Sequence, residues 1–237
     1  MKTPNKKYTV WPVGKLPKKL QRPELDQLKK EGYEWDDPRD AIEMFEKKVA
    51  KFAGSKYAVA IDCCSHGLFL CMKYLKCKDT ITIPKNTYVS PPMQIIHAGC
   101  KVKFEDLEWS GVYQLKPYPI WDGAVRWQKG MFVGGDDALQ VVSFQIKKRI
   151  PIGKGGIIMT NNKEAYDWFK YASYDGRDLT KQYMDDDFKM VGYHFYMTPE
   201  DAARGILLMD QTPEFNEDTG NSKTYSDLSN KKIFKNE

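Results

Sequence analysis

A chain of 237 residues, 41% hydrophobic and 13% aromatic, is long and apolar enough for one large domain or two small ones. The net charge of +5 is modest, and the absence of an apolar run of spanning length and of an apolar leader argues against a membrane span or a signal peptide. Five cysteines without a CxxC pair, and three scattered histidines, argue against zinc and for a reduced, cytoplasmic protein.

Residues 1–34 form a basic N-terminal arm carrying Lys2, Lys6, Lys7, Lys15, Lys18, Lys19, Arg22, Lys29 and Lys30, broken by four prolines until a helix-like stretch at Glu24 to Glu31. No nucleic-acid-binding module accompanies it, so a solvated or partner-contacting arm is favoured over a nucleic-acid patch. Asp37-Pro38 reads as a helix start, with Ala41, Met44, Phe45, Val49 and Phe52 at helical spacing and Gly54 as the stop. Tyr57–Ile61 reads as a buried strand, Asp62-Cys63-Cys64-Ser65 as a turn, and His66 to Leu75 as an apolar helix. A strand over Thr80–Ile83 ends at Pro84, a helix starts at Ser90-Pro91-Pro92 and closes at Gly99, and a strand covers Lys101–Phe104. The pattern from Val112 to Phe132 is weaker, but Tyr118–Asp122 looks like a strand finishing on an acid. Leu139–Phe144 and Ile157–Thr160 read as a buried strand and its return, joined by a turn with Gly153, Gly155 and Gly156. Helices follow over Lys163–Tyr174 and Pro199–Met209. Strands alternating with helices predict an α/β domain over 35–210, with a mainly parallel sheet covered by helices on both faces. Residues 211–237 are polar and read as a C-terminal tail that could stay disordered.

Four strand ends carry candidate chemistry, since ligands of α/β sheets bind where strands end. Lys147-Lys148-Arg149 follows the strand at Phe144. A shielded lysine there can act as an amine nucleophile, although on these residues alone a solvated charge run is the favoured reading of the triplet. Cys64-Ser65 lies at a strand-to-helix turn suited to an anion such as phosphate, with Ser65 as either a ligand or merely the N-cap. Tyr88 offers a face for a flat heterocycle or a packed core ring. Asp122 is either the partner of a protonated ring nitrogen or an ordinary turn aspartate before Gly123. Gly153-Lys154-Gly155 lacks the following hydroxyl residue and the upstream glycine of a triphosphate-binding loop, and it precedes a strand, so that reading is rejected.

Taken together and in order, several stretches over about residues 41–209 resemble the DegT/StrS-type nucleotide-sugar aminotransferases. They are Phe45-Glu46, the run Phe52 to Ala60, Ile83-Pro84-Lys85-Asn86-Thr87-Tyr88-Val89-Ser90, Gly99-Cys100-Lys101-Val102, Ser143-Phe144 with a lysine five residues after the serine, and Gly155-Gly156. The resemblance implies the large domain of a fold type I enzyme dependent on pyridoxal phosphate. It implies that Lys148, not Lys147, forms the Schiff base with the cofactor. Asp122 would hold the ring nitrogen protonated, Tyr88 would stack on the ring, and Ser65, the Cys64 backbone and Ser143 would cup the phosphate. An amino acid donor, usually glutamate, would leave its amine on the cofactor, and the pyridoxamine form would pass it to a keto group on a nucleotide-linked sugar. The resemblance also implies a homodimer with its active sites at the subunit interface.

The chain departs from the family pattern at several places. Cys64-Ser65 stands where Gly-Thr is usual, Val125 where a polar residue is common, and Lys154 where an acid is common. Tyr196 replaces the asparagine or arginine of a loop that reaches the partner's cofactor. The family normally continues into a smaller C-terminal domain, where this chain has its polar tail. These departures carry a second expectation, a degenerate protein of the same fold that binds or regulates without turnover.

Overall fold

Strands that are apolar on both faces must be covered on both sides, and this requirement organises the molecule. The computed structural model describes residues 16–235. The part of the basic arm before Leu16, with Lys2, Lys6, Lys7 and Lys15, lies outside the described residues.

The elements follow in the order α1 (Glu24–Lys30), α2 (Asp40–Ala53), β1 (Tyr57–Ile61), α3 (Cys64–Tyr74), β2 (Thr80–Pro84), α4 (Ser90–His97), β3 (Lys101–Glu105), β4 (Tyr113–Gln114), β5 (Ile120–Asp122), β6 (Leu139–Ser143), β7 (Gly156–Thr160), α5 (Lys163–Ala172) and α6 (Pro199–Gln211). One sheet has the order β1-β7-β6-β5-β4, and β2 and β3 form a second, parallel pair. Backbone bonds between Thr82 and Lys116, at 2.8 and 3.0 Å, join β2 to the end of the β4 segment. Following the pairings, β1, β2, β3, β5 and β6 run in one direction, with β7 and the short β4 against it. The expected mainly parallel arrangement holds, and Ile157–Thr160 is the returning strand.

Alternation sorts the strand residues between two cores. Ala58, Ala60, Val142, Ile157 and Met159 face a cluster built with Phe45 and Val49 of α2 and Ala203 and Ile206 of α6. Val59, Ile61, Val141 and Ile158 face Leu68 of α3, Ile95 of α4 and Phe169 of α5. In α2, Ala41, Phe45, Val49 and Ala53 recur at four-residue spacing, all fully buried, and Gly54 closes the helix in the left-handed region at φ 82°.

Two helix starts differ from expectation. α2 begins at Asp40, because the Asp37 carboxylate accepts the Arg39 N–H at 2.8 Å and is gripped by the Arg39 guanidinium. Asp37 therefore fixes a preceding turn. α3 begins at Cys64, earlier than expected, because Cys63 is extended (φ −165°, ψ 155°) and its carbonyl already accepts the Gly67 N–H at 3.1 Å. Among the described residues no helix is long and apolar enough to cross a membrane.

The segment over residues 212–235 packs against the domain and does not form the disordered tail that was expected. Leu228 and Phe234 are buried, and Arg126 grips Asp218 through two bonds of 3.0 and 2.8 Å. A few well-placed side chains and backbone bonds hold it, which its polar composition did not foretell.

Candidate active site

The loops leaving β1, β2, β5 and β6 open on one side of the sheet and enclose a cavity of about 480 Å³. Lys148, Asp122, Tyr88, Cys64, Ser65 and Ser143, far apart in the chain, all stand on its wall.

Asp122 ends β5 and is buried, which sets it apart from a solvated turn aspartate. Oδ2 accepts the Tyr113 hydroxyl and Oδ1 the Ala124 N–H, at 2.8 and 2.9 Å. Burial outweighs these bonds and the attraction of Lys148, and it pushes the carboxyl above its ordinary pKa. A buried acid left short of positive charge in a cavity fits a ligand that brings a cationic N–H.

The lysine pair is split by burial: Lys147 is exposed and Lys148 half-buried. The Lys148 N–H closes a turn onto the Gln145 carbonyl at 2.8 Å, and the Gln145 side chain accepts the Lys147 N–H at 2.8 Å. Local hydrogen bonding thus shapes the run as a turn on the cavity wall.

The anion turn sits where α3 and α4 begin. Cys63, not Ser65, is the N-cap, and it makes no side-chain capping bond, so among the described residues the first N–H groups of α3 lack side-chain partners. The Ser65 hydroxyl bonds the Ser90 hydroxyl at the start of α4, which brings two helix N-termini and two hydroxyls together. Burial, then the Asp122 carboxylate, push the Cys64 thiol well up, so it stays protonated. Gly156 allows this assembly, because a Cβ there would lie 2.5 Å from the Cys64 nitrogen. Ser143 ends β6 on the same wall. Such a donor set suits a phosphate.

Tyr88 is 61% exposed, which excludes a packed core role. Its ring meets Tyr225 edge-on at 6.5 Å, and Tyr225 lies nearly parallel to Trp109 at 5.9 Å.

At the rim, Asp62 holds His66 Nδ1 at 2.7 Å and the Lys154 ammonium at 3.1 Å. The Asp62 bond, and next the Cys63 thiol, push His66 up to about 9. Asp62, Cys63 and His66 offer donor atoms within 4.8 Å of one another, but the lysine and imidazole already compensate the carboxylate. Val125 places an apolar side chain on the cavity wall. Tyr196 lies elsewhere, stacked on Tyr174 at 4.2 Å in a second cavity that also holds Glu46 and Lys170.

Several wall residues escaped the sequence reading. Tyr113 is the register partner of Asp122, a pairing invisible in a two-residue strand. Ser90 opens an expected helix, but its place opposite Ser65 follows only from the packing of α4 beside α3. Thr219 and Tyr225 come from the polar C-terminal segment, which has no periodicity to read.

A sequence model of the DegT/DnrJ/EryC1/StrS aminotransferase family matches residues 21–119 and 124–228. The GDP-perosamine synthase of Escherichia coli O157:H7 is 33% identical over 87 residues, 37% of this chain and 23% of that protein. AtS13 from Actinomadura melliaura superposes with a TM-score of 0.66 at 19% identity, covering 79% of this chain and 64% of that one. The putative sugar aminotransferase Spr1654 from Streptococcus pneumoniae, solved in its PMP form, gives 0.61 at 14% identity, covering 82% and 64%. The two structures are alike in fold, and in each comparison less than two thirds of the other protein is covered.

Proposed function

Because the chain belongs to the DegT/DnrJ/EryC1/StrS aminotransferase family, we propose that it is a pyridoxal-phosphate-dependent aminotransferase. It takes an amino group from an amino acid, glutamate first among donors, and delivers it to a keto group on a nucleotide-linked sugar. The observation that carries this reading is a buried, undercompensated Asp122 on the wall of the same cavity as half-buried Lys148.

When bound, the cofactor supplies a carbonyl carbon for the amine and a ring that withdraws electrons from the reacting carbon. Lys148 Nζ would hold the cofactor through its carbonyl carbon, with loss of water, and when free it would carry the proton between the cofactor and substrate carbons. Asp122 keeps the ring nitrogen protonated, and Tyr88 lends an aromatic face. The first N–H groups of α3, with Ser65 and Ser143, hold the phosphate. A homodimer working in the cytoplasm belongs to the proposal. Five free thiols support a reducing compartment.

The test is optical. Protein given pyridoxal phosphate gains a visible absorbance that borohydride bleaches, Lys148→Ala lacks it, and Lys147→Ala keeps it. A wild-type protein that never takes up the cofactor would end this reading. Apolar Val125 on the cavity wall favours a second reading, a binding or regulatory protein of the same fold without turnover. Glutamate added to the loaded protein separates the two: loss of the visible band removes the second reading, and a band unmoved by glutamate or any other amino acid supports it.

A further inference from the structure

Residues 212–235 lie as a strap across the loops that follow the strands. Lys129 N–H donates to the Glu214 carbonyl at 2.7 Å, Thr219 N–H to the Val125 carbonyl at 2.9 Å, and Gly111 N–H to the Gly220 carbonyl at 3.1 Å. Ser222 N–H then donates to the Trp109 carbonyl at 3.0 Å, and Leu228 N–H to the Lys85 carbonyl at 2.9 Å. The strap thus crosses, in order, the loops after β5, β3 and β2. The Arg126–Asp218 pair pins its middle, and Phe234 packs on Phe104 at 5.5 Å to pin its end.

Its central residue is held closely. Asn86 Nδ2 donates to the Tyr225 carbonyl at 3.0 Å, while the Asn86 carbonyl accepts Trp109 Nε1 at 2.9 Å. One asparagine thereby ties the Tyr225 backbone to the Trp109 ring on which the Tyr225 ring stacks. Tyr225 lines the cavity that holds Asp122, and burial followed by the Asp122 carboxylate pushes its phenol up. Gly220 makes room for the hydroxyl, since a Cβ there would lie 3.3 Å from the phenol oxygen and 3.2 Å from Val125 Cγ1. Tyr225 is half-buried, and among the described residues its hydroxyl has no hydrogen-bond partner, in contrast to that of Tyr113. A hydroxyl without a protein partner, beside apolar Val125 on the wall of this cavity, is free to bond a ligand that enters it.

We propose that the strap is part of the cofactor pocket and that Tyr225 is a cofactor-binding residue. Its hydroxyl donates a hydrogen bond to bound pyridoxal phosphate, and its ring, backed by Trp109, closes that side of the cavity. The inference rests on the reading of the cavity as a pyridoxal phosphate site.

Titrating pyridoxal phosphate into wild type, Tyr225→Phe and Tyr225→Ala, read by tryptophan fluorescence and visible absorbance, tests it. The lost hydrogen bond weakens Tyr225→Phe by about tenfold. Tyr225→Ala, which also removes the ring, is weaker again by about tenfold or more. The urea midpoint of cofactor-free Tyr225→Phe stays at the wild-type value, so the loss is one of binding. Wild-type affinity in Tyr225→Phe overturns the proposal whatever the alanine variant does. If wild type itself takes up no cofactor, the cavity reading fails first and this inference with it.

Discussion

The Tyr113 hydroxyl lies 2.8 Å from Asp122 Oδ2, and the same hydroxyl is 2.8 Å from Thr87 Oγ1. Tyr113 and Asp122 are register partners in the β4–β5 pair, so backbone pairing sets the direction of the acid and one phenol ties it to the loop after β2. Burial dominates its titration and raises its pKa. A carboxylate raised in the fold costs stability once it ionises above its unfolded pKa, and the cost is relieved as pH falls.

Asp122→Asn should therefore raise the stability of the cofactor-free protein, by about 1 kcal/mol at neutral pH. The amide can still accept the Ala124 N–H and can donate to Tyr113, whose hydroxyl turns toward Thr87. The same change should weaken pyridoxal phosphate binding by about tenfold or more, since a charge-assisted bond is lost. Urea unfolding and cofactor titration check the two halves. A destabilised asparagine variant would contradict the electrostatic argument.

The Asp62–His66 pair predicts a slope in stability with pH. His66 is raised to about 9 by Asp62 first and Cys63 second. Its contribution is complete below the unfolded histidine pKa and is lost as pH rises through about 9. Burial pushes Asp62 up, but His66 and Lys154 outweigh it, so its own contribution is lost only in acid. Relative to His66→Gln, wild type should lose about 1 kcal/mol between pH 6 and 9, after allowing for screening at a partly exposed site. Parallel stability curves for the two proteins over that range would refute the coupling.

Much of this arrangement could be read from the chain because it depends on local rules. The buried strands show as apolar runs, and Lys148, Asp122, Tyr88 and Cys64-Ser65 are recognisable as strand-end residues with suitable chemistry, while Ser143 enters only through the family resemblance. What could not be read depends on pairings between distant positions. Tyr113 matters only because it is opposite Asp122, and Ser90 only because α4 starts beside α3. Tyr225 acts from a segment whose composition suggests solvent, and it is held by Asn86, which no spacing rule links to it.

Gly156 tests how tightly the anion turn is built. A Cβ there would meet Cys64 N at 2.5 Å and the Cys63 carbonyl carbon at 2.6 Å, both backbone atoms that no rotamer change can move aside. Gly156→Ala should cost about 2 to 3 kcal/mol, the upper part of the range for overpacking. It should also weaken cofactor binding, because β7 would push the first turn of α3 out of place. Wild-type stability in this variant, by urea midpoint, would show that the strand can shift.

Glu46 and Lys170 pose the opposite problem, a charge pair inside the fold. Glu46 is 4% exposed, and its Oε2 lies 2.8 Å from Lys170 Nζ, while Oε1 accepts the Ala60 N–H at 2.8 Å. Burial raises Glu46 even with the lysine present. Lys170→Met would leave the carboxylate with the Ala60 N–H alone and should cost about 3 kcal/mol, the low end for breaking a buried pair, since Lys170 is 33% exposed. Glu46→Gln keeps an acceptor for Ala60 and removes the charge, so it should cost about 1 kcal/mol. The double variant should then recover most of the Lys170→Met loss, a non-additivity that a double-mutant cycle measures directly. The pH dependence has a definite sign. In Lys170→Met the unpaired Glu46 has a folded pKa above its unfolded value, so the variant's deficit should shrink as pH falls and Glu46 takes up a proton. A deficit constant from pH 7 to pH 5, or additive losses in the cycle, would mean that Lys170 contributes through the packing of its stem and not through its charge.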